Sequence, residues 1–190
     1  MFPTGTPGNV PALDEEFATD IEQAKSLLAE AGYADGFDIT MPMAGPFQPY
    51  QAIVEQTFAE LGITVTWEET DFMSYMGKAP TYPMYIAVIA MDANPVATVE
   101  RQISKPQWYN PNPGLAALEG AQEQVDAVFA AEPGDAQLAE IEDLNKLVTA
   151  QGYNAVFAQN ENVFVSTAEF EVNPVIGLMF PTLRQISLVG

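Results

Sequence analysis

The stretch "DIEQAKSLLAEAGYADGFDITM", residues 20–41, changes its apolar period partway along. Ile21, Ala24, Leu27, Leu28 and Ala31 recur at helical spacing, which makes one face of a helix apolar. Thr19 and Asp20 stand where a side-chain oxygen accepts from the first free N–H groups, and Gly32 stands where a left-handed residue ends a helix. From Phe37 the period falls to two: Phe37, Ile39 and Met41 alternate with Asp38 and Thr40, predicting a half-buried strand that stops at Pro42. A helix delivered into a strand through a short joint is the unit of a layered α/β fold.

The same unit repeats downstream. After the loop "AGPFQP" (44–49), Tyr50, Ile53, Val54, Phe58 and Leu61 mark a second helix that closes at Gly62 and leads into "ITVTW" (63–67), with Ile63, Val65 and Trp67 on one face. Two helix–strand units in succession require that part of the sheet be parallel. "DFMSYMGK" (71–78) predicts a short helix opened by Asp71, and "MYIAVIAM" (84–91) an apolar strand that runs into Asp92, Ala93, Asn94 and Pro95. A short helical stretch to Ile103 then meets "SKPQWYNPNPG" (104–114), a loop too long and aromatic for a tight turn. Leu115, Leu118, Ala121, Val125, Val128 and Phe129 mark one late helix, and Leu138, Ile141, Leu144, Asn145 and Val148 the next, which ends at Gly152; the "EPGD" turn makes them an antiparallel hairpin. Residues 153–190 read as short strands and an extended tail.

Composition narrows the chemistry. With 190 residues, 48% of them hydrophobic, the chain can bury a core. Six basic against 26 acidic residues give a net charge of −20, which repels phosphate backbones and anionic lipid and argues against nucleic acid as a partner. The absence of histidine and cysteine removes the imidazole base, the thiolate nucleophile and the usual zinc site. No run reaches the roughly 20 apolar residues of a membrane span, so direct membrane insertion is not expected. The opening "MFPTGTPGNVPALDEEF" lacks a basic start before an apolar run and reads as an extended arm rather than a signal peptide.

Four blocks in order resemble the second lobe of the family 5 extracellular solute-binding proteins, the oligopeptide, dipeptide and nickel receptors of ABC importers. Residues 20–41 follow that family's "DPxKAKxLLAEAGYPDGF" stretch nearly residue for residue. "IVEQTFAELGITVTWEETDFMSYM" (53–76), "MYIAVIAMDANP" (84–95) and the run from "WYNPNPG" to "NKLV" (108–148) follow more loosely. Val88 and Ile89 stand where the family usually has a tryptophan, Asp92 sits one position nearer the proline, and "YNAVFAQNENVFV" (153–165) replaces a "YxPLY" strand. The resemblance implies an α/β, periplasmic-binding-protein-like lobe with a mixed sheet flanked by helices. It further implies residues 1–19 as an arm or hinge remnant, 20–170 as the lobe and 171–190 as an extended C-terminal segment. The implied partners are a small-molecule or peptide ligand, the first lobe of the same receptor and an ABC permease; the implied location is periplasmic, or the cell surface as a lipoprotein.

Candidate site residues carry two readings each. Asp92 and Asn94 end a strand where α/β sheets bind ligands, or they cap the helix that begins at Pro95. Trp108, Tyr109 and Asn110 offer stacking faces and polar tips to a ligand, or pin their loop to the core. Phe47, with Gly45, Pro46 and Gln48, lies in the loop after the first strand, where packing and ligand contact both fit. Trp67 and the methionines read as core, and Glu119, Glu123, Asp126, Glu140, Glu142 and Asp143 as solvated faces. Glu123 and Asp126 lack EF-hand spacing, so no metal is assigned, and no cofactor is implied. A carboxylate pair such as Asp71 and Asp92 would be needed for glycoside hydrolysis, and no G-x-S-x-G or P-loop is present. The enzyme reading therefore ranks below a binding lobe and below a protein-interaction module.

Overall fold

The computed structural model describes residues 2–111, 118–160, 163–173 and 181–189. The chain divides into two compact units, Met1–Glu15 with Ile89–Lys105 and Pro113–Gly190 in one, and Glu16–Val88 with Pro106–Asn112 in the other. The architecture is mixed α/β, with small sheets of both parallel and antiparallel type.

The second unit realises the two helix–strand repeats. Helix α2 (Ile21–Glu30) is capped by Asp20, whose Oδ1 accepts from the Gln23 N–H at 2.9 Å. At its other end the Tyr33 N–H reaches the Leu28 carbonyl and the Gly32 N–H the Ala29 carbonyl, a Schellman closure with Gly32 at φ +89°. Strand β1 (Phe37–Met43) pairs in parallel with β2 (Ile63–Glu69), Phe37 opposite Ile63 and Met43 opposite Glu69. Helix α3 (Gln51–Glu60) lies between them in sequence, entered through a 3-10 turn at Gly45–Tyr50. Pro42 does not end β1; it lies within the strand opposite Glu68, and β1 continues to Met43, whose carbonyl accepts from Thr70. Met41, Met43, Ala44, Phe47 and Ile86 form the core with Tyr75 and Ala79, drawn from and just after helix α4 (Phe72–Lys78). The apolar stripe of α2 is not buried: Leu27 is 57% exposed.

The expected strand at 84–91 does not form. Those residues belong to no strand and only Ile86 among them is buried. The Tyr75 hydroxyl donates to the Ile86 carbonyl at 2.7 Å and accepts from the Ile86 N–H at 3.1 Å. A single side chain thus takes the two backbone groups that a neighbouring strand would otherwise pair. The loop after Ser104 also differs from expectation, because Gln107 and Asn110 exchange both backbone hydrogen bonds, at 2.9 and 3.0 Å, around a tight turn.

The first unit is helical with a small β appendage. Helix α5 (Pro95–Val99) runs into a π-helical turn, Glu100–Ser104, closed by the Lys105 N–H on the Glu100 carbonyl. Helices α6 (Ala121–Ala130) and α7 (Asp135–Ala150) pack with α5 around Val99, Ile103, Val125, Val128, Ile141, Leu144 and Val148. The first of them begins at Ala121, later than the apolar spacing suggested; Leu118 precedes it and Leu115 lies outside the described residues. The N-terminal segment, expected as an extended arm, instead buries Phe2 in this core and forms a short helix, α1 (Ala12–Glu16). Asn145 holds the segment by donating to the Gly8 carbonyl at 3.0 Å. Strands β3 (Phe170–Val172) and β4 (Ile186–Leu188) form an antiparallel pair; residues 174–180 of the tail lie outside the described set.

Gly36 and Gly62 stand at the entrances of β1 and β2, both at φ +75°, and a Cβ on Gly36 would lie 2.0 Å from the Gly62 carbonyl oxygen. Gly36→Ala is therefore expected to destabilise the chain by about 2–4 kcal/mol through left-handed strain and backbone clash. Gly77, within α4 and with open space around it, provides the contrast: Gly77→Ala should stabilise by about 0.5–1 kcal/mol. Urea denaturation of both variants checks the pair, and equal midpoints would contradict the assigned role of Gly36.

Candidate functional site

The aromatic loop is fixed from below. Tyr75 is fully buried and packs on Phe47, ring centroids 4.7 Å apart, and both are held by α4 and the 3-10 turn. Trp108 meets Tyr75 at 6.3 Å and Phe72 at 6.4 Å, each ring steeply inclined to the indole. Tyr109 stands edge-on to Trp108 at 5.4 Å. These inclined arrangements match the quadrupole preference of aromatic pairs. The turn itself is tied down by Tyr85, whose hydroxyl donates to the Tyr109 carbonyl. Trp108, Tyr109 and Asn110 remain half-buried, so part of each is open to solvent, whereas Phe47 is buried as framework.

Burial controls the two tyrosines. Desolvation pushes the Tyr75 phenol up to about 12, and burial raises that of Tyr85 as well. Both stay protonated at neutral pH, so each keeps the O–H that its backbone partner needs.

Asp92 and Asn94 belong to the first unit. Asn94 is the N-cap of α5: its Oδ1 accepts from the Val96 N–H at 3.0 Å, with Pro95 at the first helical position. Asp92 forms a hydrogen-bonded ion pair with Arg101 across α5, and its own N–H donates to the Thr98 hydroxyl. Asp71 caps α4, with its Oδ1 accepting from the Ser74 N–H at 3.0 Å; the Ser74 hydroxyl, followed by that N–H, holds the carboxyl below its ordinary range. An ionised helix cap is unsuited to the proton-donor half of a glycosidase pair.

Of the six residues singled out, Phe47, Trp108, Tyr109 and Asn110 thus share one unit, and the first three share one ring cluster. Asp92 and Asn94 lie together at the start of α5. Sequence reasoning overlooked Phe72, Tyr75 and Tyr85 as the scaffold of the turn and Arg101 as the counter-ion of Asp92. The three-residue offset of Phe72 and Tyr75 in an apolar helix was a visible signal; the pairing of Asp92 with a side chain nine positions on was not. Among the described residues no cluster of acidic side chains is arranged to hold a metal ion, and no helix is long and apolar enough to cross a membrane.

Residues 1–110 match the model of a family described as bacterial extracellular solute-binding proteins, family 5 Middle. No curated protein sequence matches the chain. Among solved structures, the periplasmic binding protein AgaA from A. tumefaciens R10, in complex with agropinic acid, is 22% identical with a TM-score of 0.62, over 77% of this chain and 31% of that one. MoaA from the same strain, bound to mannopinic acid, is 18% identical with a TM-score of 0.65, over 79% and 32%. The ABC transporter-associated periplasmic binding protein DppA from Helicobacter pylori, bound to the peptide STSA, is 17% identical with a TM-score of 0.59, over 77% and 30%. At these identities the likeness is one of fold, the periplasmic-binding-protein fold, and this chain spans less than a third of each of those structures.

Tyr75→Phe removes the hydroxyl that serves both backbone groups of Ile86 and is expected to cost about 2–3 kcal/mol in urea denaturation. The pH dependence follows from the raised phenol: it is protonated in both states below about pH 10, whereas between there and about 12 the unfolded chain ionises first. Stability should therefore be full below pH 10 and fall as pH rises toward 12, with part of that fall absent in Tyr75→Phe. An unchanged alkaline limb in the variant would assign the loss to other groups.

Proposed function

The chain belongs to the family 5 bacterial extracellular solute-binding proteins, and from that membership we propose that it forms a lobe of a receptor that captures a peptide-like or other small solute in an inter-lobe cleft. A first lobe of the same receptor supplies the facing wall, and an ABC permease accepts the cargo. The location is extracytoplasmic, periplasmic or as a cell-surface lipoprotein. The observation that carries this reading is the Trp108–Tyr109 turn: two half-open aromatic side chains at the tip of a backbone bridge, held by Tyr85 and by the Phe47–Tyr75 stack.

In this proposal Trp108 and Tyr109 stack on the ligand, Asn110 supplies amide hydrogen bonds, and Phe47 supports them from beneath. Asp92 and Asn94, which belong to the other unit, are proposed separately as polar contacts for a ligand at the start of α5. Because Asp92 carries Arg101 as its counter-ion, this corner suits an amide-rich or zwitterionic solute better than a bare cation. The Nδ2 donors of Asn94 are not used in its cap, which employs Oδ1. Exposed Val163, Val165, Leu183 and Leu188 favour a second reading, a protein-contact module.

A Trp67→Phe background leaves Trp108 as the sole indole, and its emission can be followed against three probes: the peptide Ser-Thr-Ser-Ala, agropinic acid and mannopinic acid. Saturable change with at least one is expected, with Trp108→Ala weakening that ligand by about 1–2 kcal/mol when followed by calorimetry. Concentration-dependent self-association with no response to any probe would favour the protein-contact module and overturn the receptor lobe.

A further inference from the structure

The second unit carries a shallow groove of about 350 Å³, lined by Glu55 and Ala59 of α3, by Gly62, and by Ile63, Thr64 and Val65 at the start of β2. It shares no residue with the aromatic turn. Side chains alternate between faces along a strand, so a wall made of consecutive β2 residues is the strand's edge. One edge of β2 pairs with β1, and among the described residues no strand lies beside the other. That leaves a row of backbone donors and acceptors along the groove without ladder partners.

Glu55 is already set at the lip. Its Oε1 accepts from Trp67 Nε1 at 2.6 Å and from Gln51 Nε2 at 2.9 Å. Both bonds fall on the same oxygen, and among the described residues no donor is bonded to Oε2. The two donors, Gln51 foremost, hold the carboxyl below its ordinary range, so it is anionic at neutral pH. Neither α3 nor β2 contains a lysine or arginine, while Glu60, Glu68 and Glu69 lie on the same two elements. The groove therefore combines an open strand edge, an oriented carboxylate and a one-signed field.

We infer that this edge docks an extended peptide segment whose backbone pairs with β2 and whose lysine or arginine side chain binds Glu55. Strand addition supplies backbone hydrogen bonds, and the carboxylate supplies the choice of side chain. The charge complementarity also makes the interaction salt-sensitive. This docking is independent of the ligand assigned to the aromatic turn.

The probe is the blocked pentapeptide acetyl-Thr-Val-Lys-Val-Thr-amide, titrated into the whole chain and followed by backbone amide resonances. Saturable movement of the Thr64 and Val65 amides is expected, weakening as salt rises. Glu55→Gln keeps an acceptor for Trp67 and Gln51 but removes the charge, and Ala59→Lys places a competing ammonium one helical turn from Glu55. Each should weaken the peptide at least about tenfold, as should glutamate in place of its lysine. Unchanged affinity in both variants overturns the proposal. So does n-butylammonium binding as tightly as the peptide without moving the Thr64 and Val65 amides, and so does the absence of saturable peptide binding.

Discussion

The close approach of the Gly36 and Gly62 backbones is the constraint on which the second unit depends. Each glycine sits in the left-handed region directly before its strand, and a Cβ on Gly36 would intrude on the Gly62 carbonyl. With no side chain between them, the two chains enter side by side and Phe37 falls opposite Ile63. A slip of one residue would exchange the faces of every later side chain. The register therefore decides that Met41 and Met43 reach the core with Phe47 and Tyr75, and through that stack it decides where the Trp108 turn can rest.

A second constraint is polar and buried. Tyr75 has no exposed surface, yet its hydroxyl donates to one Ile86 backbone group and accepts from the other. A buried hydroxyl without partners would be costly, so this bridge ties α4 to the segment after it. The same ring then forms the floor beneath Trp108. Core and candidate site are thus continuous: the group that closes the core also orients the surface aromatics.

Much of the local structure was legible because it is encoded within a few residues. The Asp20 cap, the glycine closures at Gly32 and Gly152, the Asp71 cap and the parallel pairing of two helix–strand units follow from short-range hydrogen bonding and apolar period. The run 84–91 misled because β-branched, apolar residues fit a strand only when a partner strand is present, and here a tyrosine hydroxyl occupies that role. Phe2 misled for the opposite reason: an arm rich in proline and glycine gave no local sign that its first aromatic would enter a core formed with α6 and α7. At the candidate site, the aromatic and polar residue types at 92–94 and 108–110 were visible, and so was a cap on the helix at Pro95 as one of two readings, but the bond that commits Asp92 to Arg101 was not.

The sequence by itself determined the longer helices, several of their caps, strands β1 and β2 and the α/β class, and its ordered blocks were enough to suggest the solute-binding family. Charge and the absence of histidine and cysteine likewise set the range of chemistry without reference to any fold. Only the tertiary structure decided which polar groups spend their hydrogen bonds internally and which stay open, because those pairings join residues whose separation in sequence carries no period. Caps and periods are short-range and repeat, so they can be read along the chain; the Tyr75–Ile86 bridge, the Tyr85–Tyr109 tie and the Asp92–Arg101 pair exist only once packing has brought their partners together.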